Sequence, residues 1–566
     1  MFAHELLTFF NATVVLAVGF GALIAYLFAG LYLQSRGLLT IPGPDSHLSL
    51  WGRSTLPPDA PEALRELAGK FGEVFKLRIG WYNWVVINSP GAFKEIFDKQ
   101  VSSVVLLRSL YTDYELSLAT SSKIPAPIGH DLVTGGLRMF TMPYGTQWRT
   151  HRAVMHRLLA PRPTLEFVPS QVFESKHLLF QLAFENEKQC AFLDHVRRMS
   201  FSIVTTSAYG RRIKSQDYLD LNAAGETSKL LGRTTRPGAF IEDDIPLLAG
   251  LPQFLQPSRR KAKKYAAIVS RGKMQAWNQL KSEIRAGLAI PSFGRDLAES
   301  DLRSQGLTDE DAAWIIGGLV EAGAEITSVV IQNLILYLTA TPEAQRKAHE
   351  ELDEVVGRSR LPTFEDITNL AYIRACGKEI LRLCPVPTWA IKHYSDAEVT
   401  YKHHRIPKGT VFLANTSTMH WDPEIYPQPH VFQPERYLNH PKYSAEYATM
   451  TDPYKRDHFT FGGGRRFCPA SRLAENTLNI TVANMLWAFQ LRPPIIKGSD
   501  GIEIECKIDT SNHAFQDSAF RGPKPFHVRF IPRSQAQKEL IRREWESART
   551  TGYTLRGHTI GETSIK

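Results

Sequence analysis

With 566 residues, 43% of them hydrophobic, the chain can bury a large core, and length alone allows roughly three or four domains. Its formal charge of +10 suits an acidic protein partner or an anionic membrane surface, while no basic run is interleaved with aromatics, which argues against nucleic acid. The five cysteines (Cys190, Cys376, Cys384, Cys468 and Cys506) are widely spaced with no C-x-x-C pair, which argues against a disulfide framework or structural zinc and suits a reducing compartment.

The N-terminal stretch "LLTFFNATVVLAVGFGALIAYLFAGLYL" is 28 residues without a charge. As a helix it spans about 42 Å, against a hydrocarbon core of about 30 Å. It is too long for a signal-peptide core and lacks a basic leader, so residues 1–35 read as one N-terminal transmembrane helix. Arg36 follows the span and places the remainder in the cytosol. The sequon Asn11-Ala12-Thr13 lies inside the span and should go unused. Residues 36–58 hold Pro42, Gly43, Pro44, Pro57 and Pro58 and read as a stiff linker. Residues 59–533 show no repeat or low-complexity break and read as one catalytic domain. Residues 534–566 are polar and read as a short helix with a frayed tail.

Within the catalytic domain, "EALRELAGKFG" predicts a helix, and "EVFKLRIGWYNWVVINS" a strand pair around a Gly-Trp-Tyr-Asn turn. "YGTQWRTHR" puts Trp148 and Arg152 on one helix face. "DDIPLLAGLPQFLQPSRRKAKKY" carries apolar residues that could dip into a bilayer, with Arg259, Arg260, Lys261, Lys263 and Lys264 at the headgroups; a solvated basic face reads equally well. "DAAWIIGGLVEAGAEITSVVIQNLILYL" is a long apolar helix thinned by Gly317, Gly318 and Gly323, a pattern that close helix packing also explains. "TPEAQRKAHEELDEVVG" has Thr341 as N-cap, Pro342 in the first turn and Gly357 as its stop. Glu379 and Arg382 in "KEILRL" read, alone, as a surface ion pair. "VTYKHHRIPKGTVFLANTS" alternates like short strands. The chain is mainly α with small β-sheets.

The chemistry concentrates in "FGGGRRFCPA", residues 461–470. Apolar residues Leu478, Val482, Met485, Leu486 and Phe489 recur at helical spacing after it, so Cys468 sits at a helix N-terminus, where dipole and free N–H groups favour a thiolate. Pro469 suits the first helical turn. The glycines allow the backbone close to a planar face, Phe461 and Phe467 can shield the sulfur, and Arg466 can reach a carboxylate at the edge of the plane. A thiolate under a flat, carboxylate-bearing macrocycle is a haem with axial cysteine.

Phe461-Gly462-x-Gly464-x-Arg466-x-Cys468-x-Ala470 resembles the haem-binding loop of the cytochrome P-450 family, with Ala470 where glycine is commonest. The resemblance implies that family's fold, haem b with Cys468 as axial ligand, and contacts to the cofactor from Phe461, Gly462 and Gly464. It implies propionate contacts from Trp148, Arg152, Arg466 and His393, and a buried ionic cluster of Glu379, Arg382 and Arg436, the last from "FQPERYL". It implies that the long helix crosses the haem and that Ala322-Gly323-Ala324-Glu325 holds the acid for proton delivery. Ile326 stands where a threonine is usual, so Thr327, a bulged helix or a substrate hydroxyl must supply the missing donor. The implied activity is a monooxygenase acting with O2 on an apolar small molecule, similar to fungal microsomal members of specialised metabolism. It would sit in the endoplasmic-reticulum membrane as a single-pass protein with a cytosolic catalytic domain. Its partners would be membrane lipid and NADPH–cytochrome P-450 reductase, the latter contacted near Lys455, Arg456 and Arg465. The alternatives are a same-fold isomerase or dehydratase acting on a peroxide, which Ile326 alone supports, and a non-enzymatic haem protein.

Overall fold

The computed structural model describes residues 40–44, 60–79, 82–98, 120–186, 190–215, 230–234, 238–388, 392–497, 503–516 and 520–561, with scattered positions elsewhere. The expected membrane anchor and most of the linker, Pro57 and Pro58 included, lie outside the described residues.

Helix α1 (Ala60–Phe71) buries Leu64 and Ala68. Strands β1 (Val74–Ile79) and β2 (Tyr82–Ile87) pair antiparallel with Ile79 opposite Tyr82. Tyr82 and Asn83, expected in the turn, are therefore strand residues, and both are buried. Helices α2 (Thr146–Leu158), α3 (Val168–Phe180), α4 (Phe192–Tyr209) and α5 (Arg259–Arg285) follow. Helix α6 (Asp309–Ala340) opens on a capping box in which the Thr308 hydroxyl accepts from Asp311 N–H and the Asp311 carboxylate accepts from Thr308 N–H. It is long and apolar enough by composition to cross a membrane, yet it forms the core. Its second half packs with Met199 and Ile203 of α4 and with Ile373 and Ile380 further along the chain. Its first half packs with Phe201 and Ala208 of α4 and with Trp277 and Leu280 of α5.

Thr341 stands at the N-cap of α7 (Pro342–Val355), with Pro342 in its first turn, although the threonine side chain makes no capping bond. Gly357, at φ +76°, takes the left-handed conformation past the helix end. Helix α8 (Ala371–Leu383) leads to β3 (His393–Tyr394), β4 (Val399–Tyr401), β5 (His404–Ile406) and β6 (Val411–Ala414). One sheet runs in the order β1-β2-β6-β3, with β6 parallel to β2 and antiparallel to β3. Strand β6 is internal and covered on both faces, so all four of its residues are buried. One face packs on Leu64 and Ala68 of α1, the other on Phe93, Ile96, Phe97 and Phe459. Helix α9 (Ser471–Ala488) runs into β7 (Phe489–Arg492), which pairs with β8 (Arg529–Pro532).

The C-terminal segment departs from expectation. Rather than a short helix with a frayed tail, it forms α10 (Gln535–Thr551) and a hairpin of β9 (Tyr553–Leu555) and β10 (His558–Ile560). Polar composition hid a sparse apolar stripe: Ile541, Trp545, Tyr553, Leu555 and Ile560 are all buried. Trp545 stacks on His177 of α3 at 4.2 Å and meets Phe173 edge-on at 5.3 Å. Beneath it, Glu174 is fully buried between Arg198 at 2.7 Å and Arg212 at 2.6 Å. Burial works to raise the Glu174 pKa, but Arg212 and Arg198 hold it well below the usual carboxylate range. Trp545→Ala is expected to cost about 3–5 kcal/mol, the range for emptying a buried tryptophan site. A thermal melt of the purified protein checks this; an unchanged midpoint would mean that the tail is merely adjacent to the core.

Candidate functional site

The cysteine loop is shaped by its glycines, for two different reasons. Gly462 and Gly464 take φ of +73° and +56°, conformations that side chains resist. Gly463 and Gly464 are also crowded from behind: a Cβ on Gly463 would strike the Phe93 ring, and one on Gly464 would come within 2.5 Å of Phe97 O. Packing against residues 90–98 therefore explains two of the three glycines, where the sequence suggested approach to a planar face. Helix α9 starts at Ser471, so Pro469 lies in the turn before it and not in the first helical turn.

Cys468 N–H donates to Phe461 O at 2.8 Å and closes the loop. Burial pushes the Cys468 thiol above its ordinary pKa; Ala470 N–H and the Arg152 guanidinium oppose this without overcoming it. A cation bound at the sulfur would deprotonate it outright.

Basic groups converge beside this loop. Arg466 donates to Ser121 O at 2.8 Å, Met142 O at 2.7 Å and Met139 O at 3.2 Å, and its guanidinium lies 4.2 Å from the centre of the Trp148 ring. Arg152, one turn beyond Trp148 on α2, donates to Phe467 O and to His156 Nε2. His393 shares Nδ1 with Thr120 O at 2.7 Å and packs on Phe97. Lys123, which sequence reasoning missed, is buried with its ammonium on Lys392 O at 2.8 Å. Burial lowers Arg466 to about 9, and Arg152 adds to the fall. Burial takes Lys123 and His393 well below their ordinary values, with Arg466 a further cause for both. Among the described residues no carboxylate forms an ion pair with any of these four groups. Two guanidiniums without a paired carboxylate, beside a lysine and a histidine whose charged forms burial disfavours, suit an anion of more than one charge that would restore those charges. Together with the buried Cys468 thiol, this arrangement fits haem b, which brings one iron and two carboxylates. No local signal in "SSKIPAP" could have marked Lys123, because its neighbours arrive from residues 392 and 466.

Behind the loop, Arg382 gives Nε and Nη2 to the two Glu379 oxygens at 2.7 Å each. Arg436 approaches the same carboxylate at 3.4 Å. The structure thus brings Glu379, Arg382 and Arg436 together in the interior, not on a surface. Arg382 Nη1 donates to His420 O, and His420 Nε2 accepts from Phe459 N–H at 2.7 Å. The cluster is thereby two contacts from the residues that lead into the cysteine loop.

On α6, Gly323 packs against Val204 of α4 and Gly317 against Lys273 of α5, with a Cβ at either meeting its neighbour at 3.1–3.2 Å. Close helix packing accounts for these two, while Gly318 faces open space. The helix is continuously α from Asp309 to Ala340, so no bulge shifts the register. Ile326 packs against the core, and the Thr327 hydroxyl donates to Gly323 O at 2.7 Å. Glu325 pairs with Arg197 of α4 at 3.3 Å and is partly exposed. Of the three basic residues expected at a reductase contact, Lys455 and Arg465 are exposed. Arg456 is not: it is buried and donates to His458 O and Gly462 O, and so supports the loop from inside.

The family model described as Cytochrome P450 matches residues 42–500. The chain is similar to Cytochrome P450 monooxygenase pgmC of Aspergillus terreus, at 46% identity over 548 residues covering 96% of this chain and 95% of the relative. It is also similar to Cytochrome P450 monooxygenase verL of Clonostachys rogersoniana, at 32% over 94% of both chains. A third relative, Cytochrome P450 monooxygenase virE of Hypocrea virens, is 32% identical over 94% of this chain and 92% of its own length.

Proposed function

The chain belongs to the cytochrome P450 family, and on that premise we propose that it inserts one atom of dioxygen into an apolar small molecule as an oxidative step in fungal specialised metabolism. It is a haem-thiolate monooxygenase by family. The observation that supports the residue assignment is the buried thiol of Cys468 beside Arg152, Arg466, His393 and Lys123, none of which is ion-paired with a carboxylate among the described residues. Haem, when bound, supplies dioxygen activation, and a thiolate ligand favours O–O cleavage. Cys468 holds the iron; Arg152, Arg466, His393 and Lys123 hold the two carboxylates; Trp148 supports Arg466 from beneath. Glu325 delivers protons from the Arg197 side, where it reaches solvent. Thr327 has its hydroxyl engaged on Gly323 O and keeps oxygen lone pairs for a water in the helix groove.

The N-terminal 35 residues anchor the chain as a single span in the endoplasmic-reticulum membrane, with the catalytic domain in the cytosol. A second lipid contact is supported by Phe254, 85% exposed, and by exposed Leu251 and Leu255 next to Arg260, Lys261, Lys263 and Lys264. Lys455 and Arg465 offer positive charge to an acidic NADPH–cytochrome P-450 reductase on the cysteine side.

Co-expression with a reductase, with and without this chain and under labelled dioxygen, tests the function. A product heavier by one oxygen atom taken from O2 is expected, and turnover without O2 or reductase contradicts the reading. Glu325→Gln is expected to lower product formation about 100-fold, the lower range for losing a general acid. Full activity in that variant would remove Glu325 from proton delivery.

A further inference from the structure

Behind the cysteine loop, two buried carboxyls share a single hydroxyl. Asp457 precedes residues 461–470, and Glu475 follows them on α9. Ser444 Oγ lies 2.7 Å from Asp457 Oδ2 and 3.0 Å from Glu475 Oε1. Lys378 of α8 and His458 complete the cluster, and all five residues are buried. Ser444 thereby joins the two flanks of the loop at its base.

Ionised carboxyls only accept hydrogen bonds, and the Ser444 hydroxyl has one proton to give. Its two contacts therefore need one further proton, which must sit on a carboxyl. Asp457 is the better-served anion: Oδ2 accepts from Lys378 Nζ at 2.7 Å and Oδ1 from His458 N–H at 2.8 Å. Glu475 lies 3.7 Å from that ammonium, outside hydrogen-bond range. Its two oxygens share Ser444 N–H at 3.2 Å each. His458 does not supply a second positive charge. Its Nδ1 has no partner, so a doubly protonated ring would bury an N–H without an acceptor, and burial lowers His458 to about 4. With Nε2 protonated, the neutral ring donates to Ser444 Oγ at 3.2 Å.

We infer that Glu475 is held as the neutral carboxylic acid, donating its proton to Ser444 Oγ, and that ionisation of this one group opens the joint at the base of the cysteine loop. Ser444 Oγ then accepts from Glu475 and His458 and donates to Asp457, so its proton and both lone pairs are used. One positive charge, on Lys378, faces one negative charge, on Asp457. A second carboxylate here would be a buried charge without a counter-ion. The other titratable or charged groups around the cluster are Tyr443, with Arg472 3.9 Å over its ring, and Tyr447, 5.0 Å from the Lys378 ammonium. Cys468 feels a charge on Glu475 at a distance. Burial raises the Glu475 carboxyl to about 7; Asp457 adds to the rise, while Lys378 and Ser444 oppose it. The unfolded chain releases this proton near the ordinary value of 4.5. Stability from the neutral acid is therefore full below about 4.5 and is lost as pH rises through about 7.

Infrared difference spectra and thermal melts of the full-length, haem-loaded protein, unaltered and as Glu475→Gln, test the assignment. Between about pH 6 and about pH 8.5 the unaltered protein is expected to lose the carbonyl band of one protonated carboxyl that the variant does not lose. Asp243, raised by burial to about 6, titrates in both proteins and cancels in the comparison. A glutamine keeps a carbonyl for Ser444 N–H and an N–H for Ser444 Oγ, so the variant mimics the neutral acid. The difference in melting midpoint is expected to shift in the variant's favour from about pH 5 to about pH 8.5. No band lost from the unaltered protein, the same loss in the variant, a midpoint difference that does not move with pH, or a variant unfolded where the unaltered protein is folded would each overturn the assignment.

Discussion

Arg382→Met is expected to leave little or no folded enzyme. The guanidinium is fully buried and serves Glu379 twice at 2.7 Å, with its remaining arm on His420 O at 2.7 Å and Pro429 O at 2.8 Å. Without it, Glu379 keeps only Gln433 N–H at 3.0 Å and Arg436 at 3.4 Å. Removing one partner of a buried pair costs about 3–5 kcal/mol, because the other charge stays behind. That is a large part of the roughly 5–15 kcal/mol by which domains are stable. Removing both charges, as Glu379→Met with Arg382→Met, is expected to recover part of the loss, since the uncompensated carboxylate goes too. Denaturant midpoints and soluble yield decide it. A single variant as stable as the unaltered protein would mean that the pair carries no structural load.

Cys468→Ser is expected to abolish turnover while leaving the fold near intact. The loop that presents residue 468 is held by its backbone, through Cys468 N–H on Phe461 O and Phe467 N–H on Gly464 O, and a serine keeps both bonds. What the serine lacks is the thiolate sulfur whose donation of electron density to the iron favours O–O cleavage. Haem content is expected to fall only in part, because Arg152, Arg466, His393 and Lys123 still offer the carboxylates their partners. Product formation at the level of the unaltered protein would show that the iron has another ligand.

The sequence and the structure meet most closely where signals are local. The glycines, arginines and proline around Cys468 lie within ten residues, and the Glu379–Arg382 spacing lies within one helical turn. Thr341, Pro342 and Gly357 mark helix ends by backbone chemistry that each carries alone. What stayed hidden depends on distant partners. Lys123 joins the basic cluster only because β3 brings Lys392 and His393 to it. The C-terminal segment reads as polar because its apolar residues are few, yet Trp545 finds His177 and Phe173 on a helix more than 350 residues earlier. Arg456 reads as surface charge, although the cysteine loop folds over it and takes its hydrogen bonds. Composition shows which residues can be buried, and only the assembled contacts show which are.

Carbon monoxide binding to the dithionite-reduced, purified protein examines the sulfur–iron bond directly. The expected result is the strongly red-shifted Soret band that a haem with an axial thiolate gives, and its disappearance in Cys468→Ser. Colourless protein, or a band like that of a histidine-ligated globin, would contradict the assignment of Cys468 and the chemistry built on it.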